Sequence, residues 1–302
     1  RTLPRVRPRG KRLPEPRGAC QGRGVFARAR SVAVLLAALG SISLAMAQPA
    51  ARRAVRTGGA RGCPAGMAKL PGFCVDRWEA SLVDKQSGRA LSPYFPPQPA
   101  ALTRVREVWL VERTRTGDAG ARAWPLPEPP LFQLTARYEP MAVSRPGVVP
   151  HGYLTYHAAK GACQAAGKRL CSEEEWTVAC RGKAGTKFPY GAHYLPGRCN
   201  VHRAVHPAAV LHDNASMGLI DPRLNLVVES GKDPLLRLTG ATAGCASSWD
   251  DGSLFDMVGN LDEWIDDPSG VFVGGFYARM TTKGCEAKIT GHAPSYYDYS
   301  TG

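Results

Sequence analysis

One stretch, Leu254–Trp264, limits what this chain can fold into more than any other. Leu254, Phe255, Met257, Val258, Leu261 and Trp264 demand burial, yet Asp256, Asn260, Asp262 and Glu263 are threaded between them. A carboxylate or amide follows such neighbours into a core only when it is hydrogen-bonded, ion-paired or bound to a metal. Gly259 allows a turn or a close approach of another backbone segment. Oxygen-rich side chains on a tight, irregular backbone suit a hard cation such as Ca2+. The spacing is not that of an EF-hand, so two readings stand: a calcium site of another kind, or a buried turn with a solvated acidic rim.

The 302 residues are enough for one sizeable core, and the net charge of +14 resembles a nucleic-acid footprint until it is located. Residues 1–61 hold 14 Lys/Arg and one acid, whereas residues 62–302 hold 25 Lys/Arg and 24 acids. The larger part is near neutral, which argues against nucleic acid or a membrane surface as a partner. The N-terminal charge has another explanation. Residues 1–24 form a basic leader, read as a mis-assigned start, and residues 25–47 read as a signal peptide. Within it Phe26–Arg30 is a basic region, Ser31–Leu44 an apolar run too short to span a bilayer, and Ala45-Met46-Ala47 a small-residue cleavage site. Residues 48–62 then form a flexible linker. The expectation is an exported protein (periplasmic, cell-surface or secreted), touching the membrane only through its export signal. Eight cysteines follow the leader (63, 74, 163, 171, 180, 199, 245 and 285). An oxidising compartment would pair them, and no C-x-x-C pair with zinc spacing competes.

Along the chain, Cys63 to Glu79 reads as a short hairpin closed by a Cys63–Cys74 disulfide. Asp76 and Glu79 are read as structural carboxylates, not a catalytic pair. Residues 87–140 are dense in proline and read as a long excursion, with an amphipathic helix over Ala101–Arg113 presenting Leu102, Val105, Val108 and Trp109. Met141–Val143 is predicted as a strand, and Tyr153–Ala166 as a helix stopped by Gly167. Ser172 and Glu175 form a capping box for a second helix. His202, His206 and His212 invite a metal reading, but Pro207 and the surrounding loop signals argue against a helix presenting the first two. Val271–Tyr277 is predicted as a strand.

Four motifs, in order, carry a family resemblance. They are Gly167-Lys168-Arg169-Leu170-Cys171-Ser172-Glu173-Glu174-Glu175-Trp176 with Ala179-Cys180-Arg181-Gly182, then Phe188-Pro189-Tyr190-Gly191, then Asp256-Met257-Val258-Gly259-Asn260-Leu261-Asp262-Glu263-Trp264, and Val273-Gly274-Gly275. Together they resemble the formylglycine-generating enzyme (sulfatase-modifying factor) family over roughly residues 63–302. The resemblance implies an α+β, disulfide-bonded domain with little regular secondary structure, of the formylglycine-generating-enzyme fold and its C-type-lectin-like relatives. It implies structural Ca2+ held by Asp256, Glu263 and the carbonyls of Gly259 and Leu261. Asn200 and Val201 match further calcium positions, with Asp213 as their acidic ligand. It implies a Cys180–Cys285 disulfide; Cys171–Cys199 is expected as a third pair. Cys163 matches a cysteine bonded to a terminal F-R-C segment, just where this chain stops, and the C-terminus reads as truncated. Cys245 has no assigned partner.

The family's enzymes resemble copper-dependent oxidases with two Cu(I)-binding cysteines just after the Gly-Gly-Ser strand. Here that stretch reads Phe276 to Gly284 and contains no cysteine; Cys285 is better matched to the structural bond. Phe276 stands in place of the serine, and Asp262 in place of the first tryptophan of W-E-W. The reading is therefore a calcium-stabilised module without the copper pair or a catalytic residue, binding a protein, peptide or glycan. The alternative is a formylglycine-generating oxidase with a divergent site.

Overall fold

The structure, a computed structural model, describes residues 62–229 and 233–302. The expected leader, signal segment and linker, the last residue of the linker apart, lie outside the described residues. What is described is a mixed helix-and-strand chain with little regular structure and three disulfides.

β1 (Met67–Leu70) and β2 (Phe73–Asp76) pair antiparallel around Pro71-Gly72, where Gly72 takes φ +90°. A side chain rarely adopts that conformation, so glycine makes the turn. Cys63 bonds Cys74 and ties the entry of the chain to this hairpin. β3 (Ala80–Asp84) pairs antiparallel with β4 (Pro140–Ser144), from Ala80 opposite Ser144 to Asp84 opposite Pro140. The proline-rich excursion thus leaves and rejoins the fold at one strand pair. It contains α1 (Pro99–Glu112), α2 (Ala119–Ala123) and α3 (Leu131–Thr135). Pro99 opens α1, where a missing N–H costs no helical bond. Leu102, Val105 and Trp109 are buried with Phe95 and Leu126. Val108, expected on the same face, is 41% exposed. Six residues from Leu102 is well past one and a half turns, and the 3.6-residue period carries it off the stripe.

α4 (Tyr156–Ala165) begins at Thr155, whose hydroxyl accepts from Ala158 N–H, and is followed by left-handed Gly167. The helix starts later than expected because Tyr153 itself sits at φ +61°. α5 (Glu173–Arg181) carries the reciprocal capping box of Ser172 and Glu175 and ends at Gly182. A short α6 (Pro207–His212) ends at left-handed Asp213. β5 (Ala246–Trp249) and β6 (Gly252–Phe255) form a hairpin that delivers the chain into the Asp256 loop. β7 (Glu263–Trp264), β8 (Phe272–Val273) and β9 (Lys288–Ile289) make a three-stranded antiparallel sheet. The strand expected over Val271–Tyr277 is only its first part, because Gly274 and Gly275 take φ +86° and +78° and turn the chain out of register.

The core around the loop is built from Trp176, Leu254, Met257, Val258, Ile265, Val271 and Val273, packed on Cys180–Cys285 and Cys199–Cys245. The expected pairing of Cys171 with Cys199 is corrected: Cys199 bonds Cys245, and Cys171 carries no disulfide. Cys245 lies just before β5 and is brought to the Cys199 loop, a closure that separation in sequence did not reveal. A second apolar group joins α4 to β3 and β4 with Trp264 and Phe272, and a third gathers Tyr153, Tyr277 and Tyr299.

Candidate functional site

The Asp256 loop is held by its own amide, Asn260. Its Nδ2 donates to Glu79 Oε2 at 2.6 Å and to the Arg237 carbonyl at 3.1 Å. Its Oδ1 accepts from Asn200 Nδ2 and from the Arg237 N–H, both at 2.9 Å. Its N–H donates to the Asn200 carbonyl and its carbonyl accepts from Tyr277 N–H. Asp256, Gly259 and Asn260 all have positive φ (59°, 86° and 63°), and a Cβ on Gly259 would fall onto the Asn200 carbonyl. Asn and Asp tolerate the left-handed region better than other side chains, and glycine alone admits the contact.

Three carboxylates converge here. Glu79, brought in by the turn before β3, accepts from Leu261 N–H at 3.1 Å as well as from Asn260. Its expected structural role, bonding the backbone of a neighbouring loop, matches this geometry; Asp76 instead pairs with Lys168 at 2.8 Å. Asp256 accepts from Gly240 N–H at 2.6 Å, and Glu263 from Trp176 Nε1 at 2.5 Å. Burial pushes Glu79 well above the ordinary carboxylate range, with Asp256 and Glu263 adding repulsion. Burial likewise raises Asp256, and lifts Glu263 to about 7. All of their hydrogen-bond donors are neutral.

This is an arrangement a cation would relieve. Asp256 and Glu263, with the Gly259 and Leu261 carbonyls on an irregular backbone, are oxygen donors of the hard kind that calcium takes. Among the described residues no cluster of three or more His, Cys, Asp or Glu side chains is placed to hold a metal, so backbone oxygens would have to complete the shell.

The other half of the expected calcium set is placed differently. Asn200 is buried beside Gly259, and Val201 follows it into the core. Asp213 is exposed at the left-handed end of α6. The acids that the fold brings to Asn200 are Glu229 and Asp233, which sequence reasoning missed, and Arg203 binds all three. Arg203 holds Glu229 below its ordinary range. Of the histidines, His202 meets the Thr281 carbonyl and His206 the Tyr299 hydroxyl, while His212 is buried against Asp221.

Past Gly275, Phe276 and Tyr277 are buried and Met280 is 83% exposed. Arg279 reaches back to fully buried Asp262 at 2.8 Å and lies over the Phe276 ring. Burial lifts Asp262 to about 7 despite that partner. Cys285, the first cysteine beyond this loop, is bonded to Cys180. Copper(I) takes thiolates, and a disulfide sulfur is not one, so Cys285 as bonded here is not a copper ligand. Cys163 and Cys171, the unbonded cysteines among the described residues, line a cavity of about 460 Å³ whose wall also includes Phe73, Trp78, Trp176 and the carboxylates Glu79 and Glu263.

The profile of the sulfatase-modifying factor enzyme 1-like domain matches residues 135–290, just over half of the chain. A cattle (Bos taurus) protein named inactive C-alpha-formylglycine-generating enzyme 2 is 29% identical over 116 residues, covering 38% of this chain and 32% of the relative. The chain therefore matches about a third of that relative's length. The crystal structure of CarF aligns with a TM-score of 0.31 at 13% identity, covering 74% of this chain and 96% of that one. The chain belongs to the sulfatase-modifying factor enzyme 1-like (formylglycine-generating enzyme) family.

Proposed function

We propose that this protein is an exported, calcium-stabilised binding module of the family, with its C-type-lectin-like fold, and not an oxidase. The observation that carries the reading is the Cys180–Cys285 disulfide. It engages the one cysteine near the position where the family's copper chemistry would need a thiolate pair, and residues 276–284 supply no other. The matched relative is itself named inactive, which supports the same reading. Three disulfides support an oxidising, exported location. Calcium is assigned to Asp256, Glu263 and the Gly259 and Leu261 carbonyls, where it would neutralise buried carboxylates whose hydrogen-bond donors are all neutral. The ligand class is a protein, peptide or glycan.

The test is incubation of the full chain with a C-x-P-x-R peptide, copper and a reductant in air, followed by mass spectrometry. The expected result is no conversion of cysteine to formylglycine above a copper-only control. Conversion that disappears in Cys285→Ser would establish the oxidase instead.

A further inference from the structure

Asn200 and its neighbours form a second cation position, and a side chain already fills it. Arg203, whose side chain is 8% exposed, points its guanidinium into a ring of oxygens. Nη1 donates to Asn200 Oδ1 at 3.2 Å and to the Pro234 carbonyl at 3.3 Å. Nε donates to Glu229 Oε2 at 2.9 Å, Nη2 bonds the same oxygen, and Nη2 also donates to Asp233 Oδ2 at 2.9 Å. Two carboxylates, an amide oxygen and a backbone carbonyl are the donor set of a hard divalent ion. The orientation of Asn200 is fixed independently: its Nδ2 donates to the Leu235 carbonyl and to Asn260 Oδ1, so its oxygen must face Arg203. The Arg203 backbone is pinned as well, its N–H donating to the Tyr277 carbonyl, so the guanidinium is delivered to this spot by a fixed main chain.

We infer that Arg203 is the resident cation of this pocket, standing where a divalent ion would otherwise sit, and that the Asn200 side of the loop takes no metal in this protein. A planar guanidinium with five donors satisfies several oxygens at once and carries its charge permanently. The calcium position that Asn200 and Val201 matched in sequence is thereby replaced by a covalently tethered charge. The inference stands apart from the calcium reading at Asp256 and Glu263.

Removing Arg203 frees Asn200, Glu229 and the Pro234 carbonyl, while Arg237 keeps its bond to Asp233 Oδ2 at 3.0 Å. Calcium stoichiometry is measured by equilibrium dialysis on the wild type, Arg203→Ala, Glu263→Gln and the double variant. Arg203→Ala is expected to bind one ion more than the wild type, and to keep that extra ion in the Glu263→Gln background. Its melting temperature should fall in chelator and recover with saturating Ca2+, because the ion replaces the guanidinium. Arg203→Lys, which keeps a charge in place, should gain no ion. The inference is overturned if Arg203→Ala gains none, if it stays unfolded in saturating Ca2+, or if the wild type holds an ion that survives Glu263→Gln. Loss of a wild-type ion in Glu263→Gln alone reports on the Asp256 position and leaves Arg203 unaffected.

Discussion

Asn260 shows how much one side chain can settle. It joins the Asn200 loop, the Glu79 turn, the Arg237 backbone and the Tyr277 peptide through hydrogen bonds. Truncating it leaves several buried groups unpaired, each costing about 1–3 kcal/mol. Asn260→Ala is expected to destabilise by about 3–5 kcal/mol, read from urea midpoints. Asn260→Gly should do less harm, by about 1 kcal/mol, because glycine meets φ +63° without strain. If alanine proves no worse than glycine, backbone strain is not part of the cost. The carboxylates give a pH signature. Asp262 and Glu263 are both lifted to about 7, above the roughly 4 of an unfolded carboxylate. A raised acid stabilises the fold fully below the unfolded value, and that contribution is lost as pH rises through the folded one. In chelator, the urea midpoint should therefore fall between pH 5 and pH 7. Saturating calcium should flatten the slope, and an unchanged slope would remove the ion from the Asp256 position.

At the scale of elements, α5 is the lever that sets the site. Its capping box fixes the first turn, Trp176 on its inner face donates to Glu263, and Cys180 near its end holds Cys285. Ser172→Ala should cost about 1 kcal/mol, the usual value of an N-cap, without altering the disulfides. The bond from Cys180 to Cys285 closes 105 residues of sequence separation. Replacing both cysteines with serine should cost about 4–5 kcal/mol in the chain-entropy account, measured by chemical denaturation. A loss under about 1 kcal/mol would mean that the surrounding apolar packing, not the bond, holds α5 to the late loop. The prolines and glycines that kept these elements short were legible in the sequence, as were the capping box and the α4 stop. The Val271–Tyr277 strand ends early because its apolar start favours a strand, while Gly274 and Gly275 after it turn the chain away.

At the scale of the molecule, the basic charge belongs to residues 1–61, and the remainder is nearly balanced. The cavity beneath α4 and α5 holds the unpaired Cys163 and Cys171 in mostly apolar surroundings, and burial pushes their thiols up to about 11 and about 12. Because the thiolate is the nucleophile, alkylation of native protein should be slow at pH 7 and speed up steadily towards pH 10. Peptide mapping should place the label on these two among the described cysteines. Label on Cys199 or Cys245 would contradict the disulfide framework.

The sequence by itself determined what depends on neighbours along the chain. That covers the turn chemistry of Pro71-Gly72, the cap of α5, the local Cys63–Cys74 bond, and the motifs that place Asp256, Gly259, Leu261 and Glu263 on one loop. It also determined the family, through short motifs whose order survives although the segments between them do not resemble it. Tertiary structure alone decided which distant residues share a space. Cys199 met Cys245 rather than Cys171, Glu79 came to the loop from a turn nearly two hundred residues earlier, and Glu229 and Asp233, not Asp213, came to Asn200. Few of these contacts lie within a regular element, so no helical or strand period announces them. They follow from how loops close over one another, and loop closure depends on packing that no local window of sequence contains.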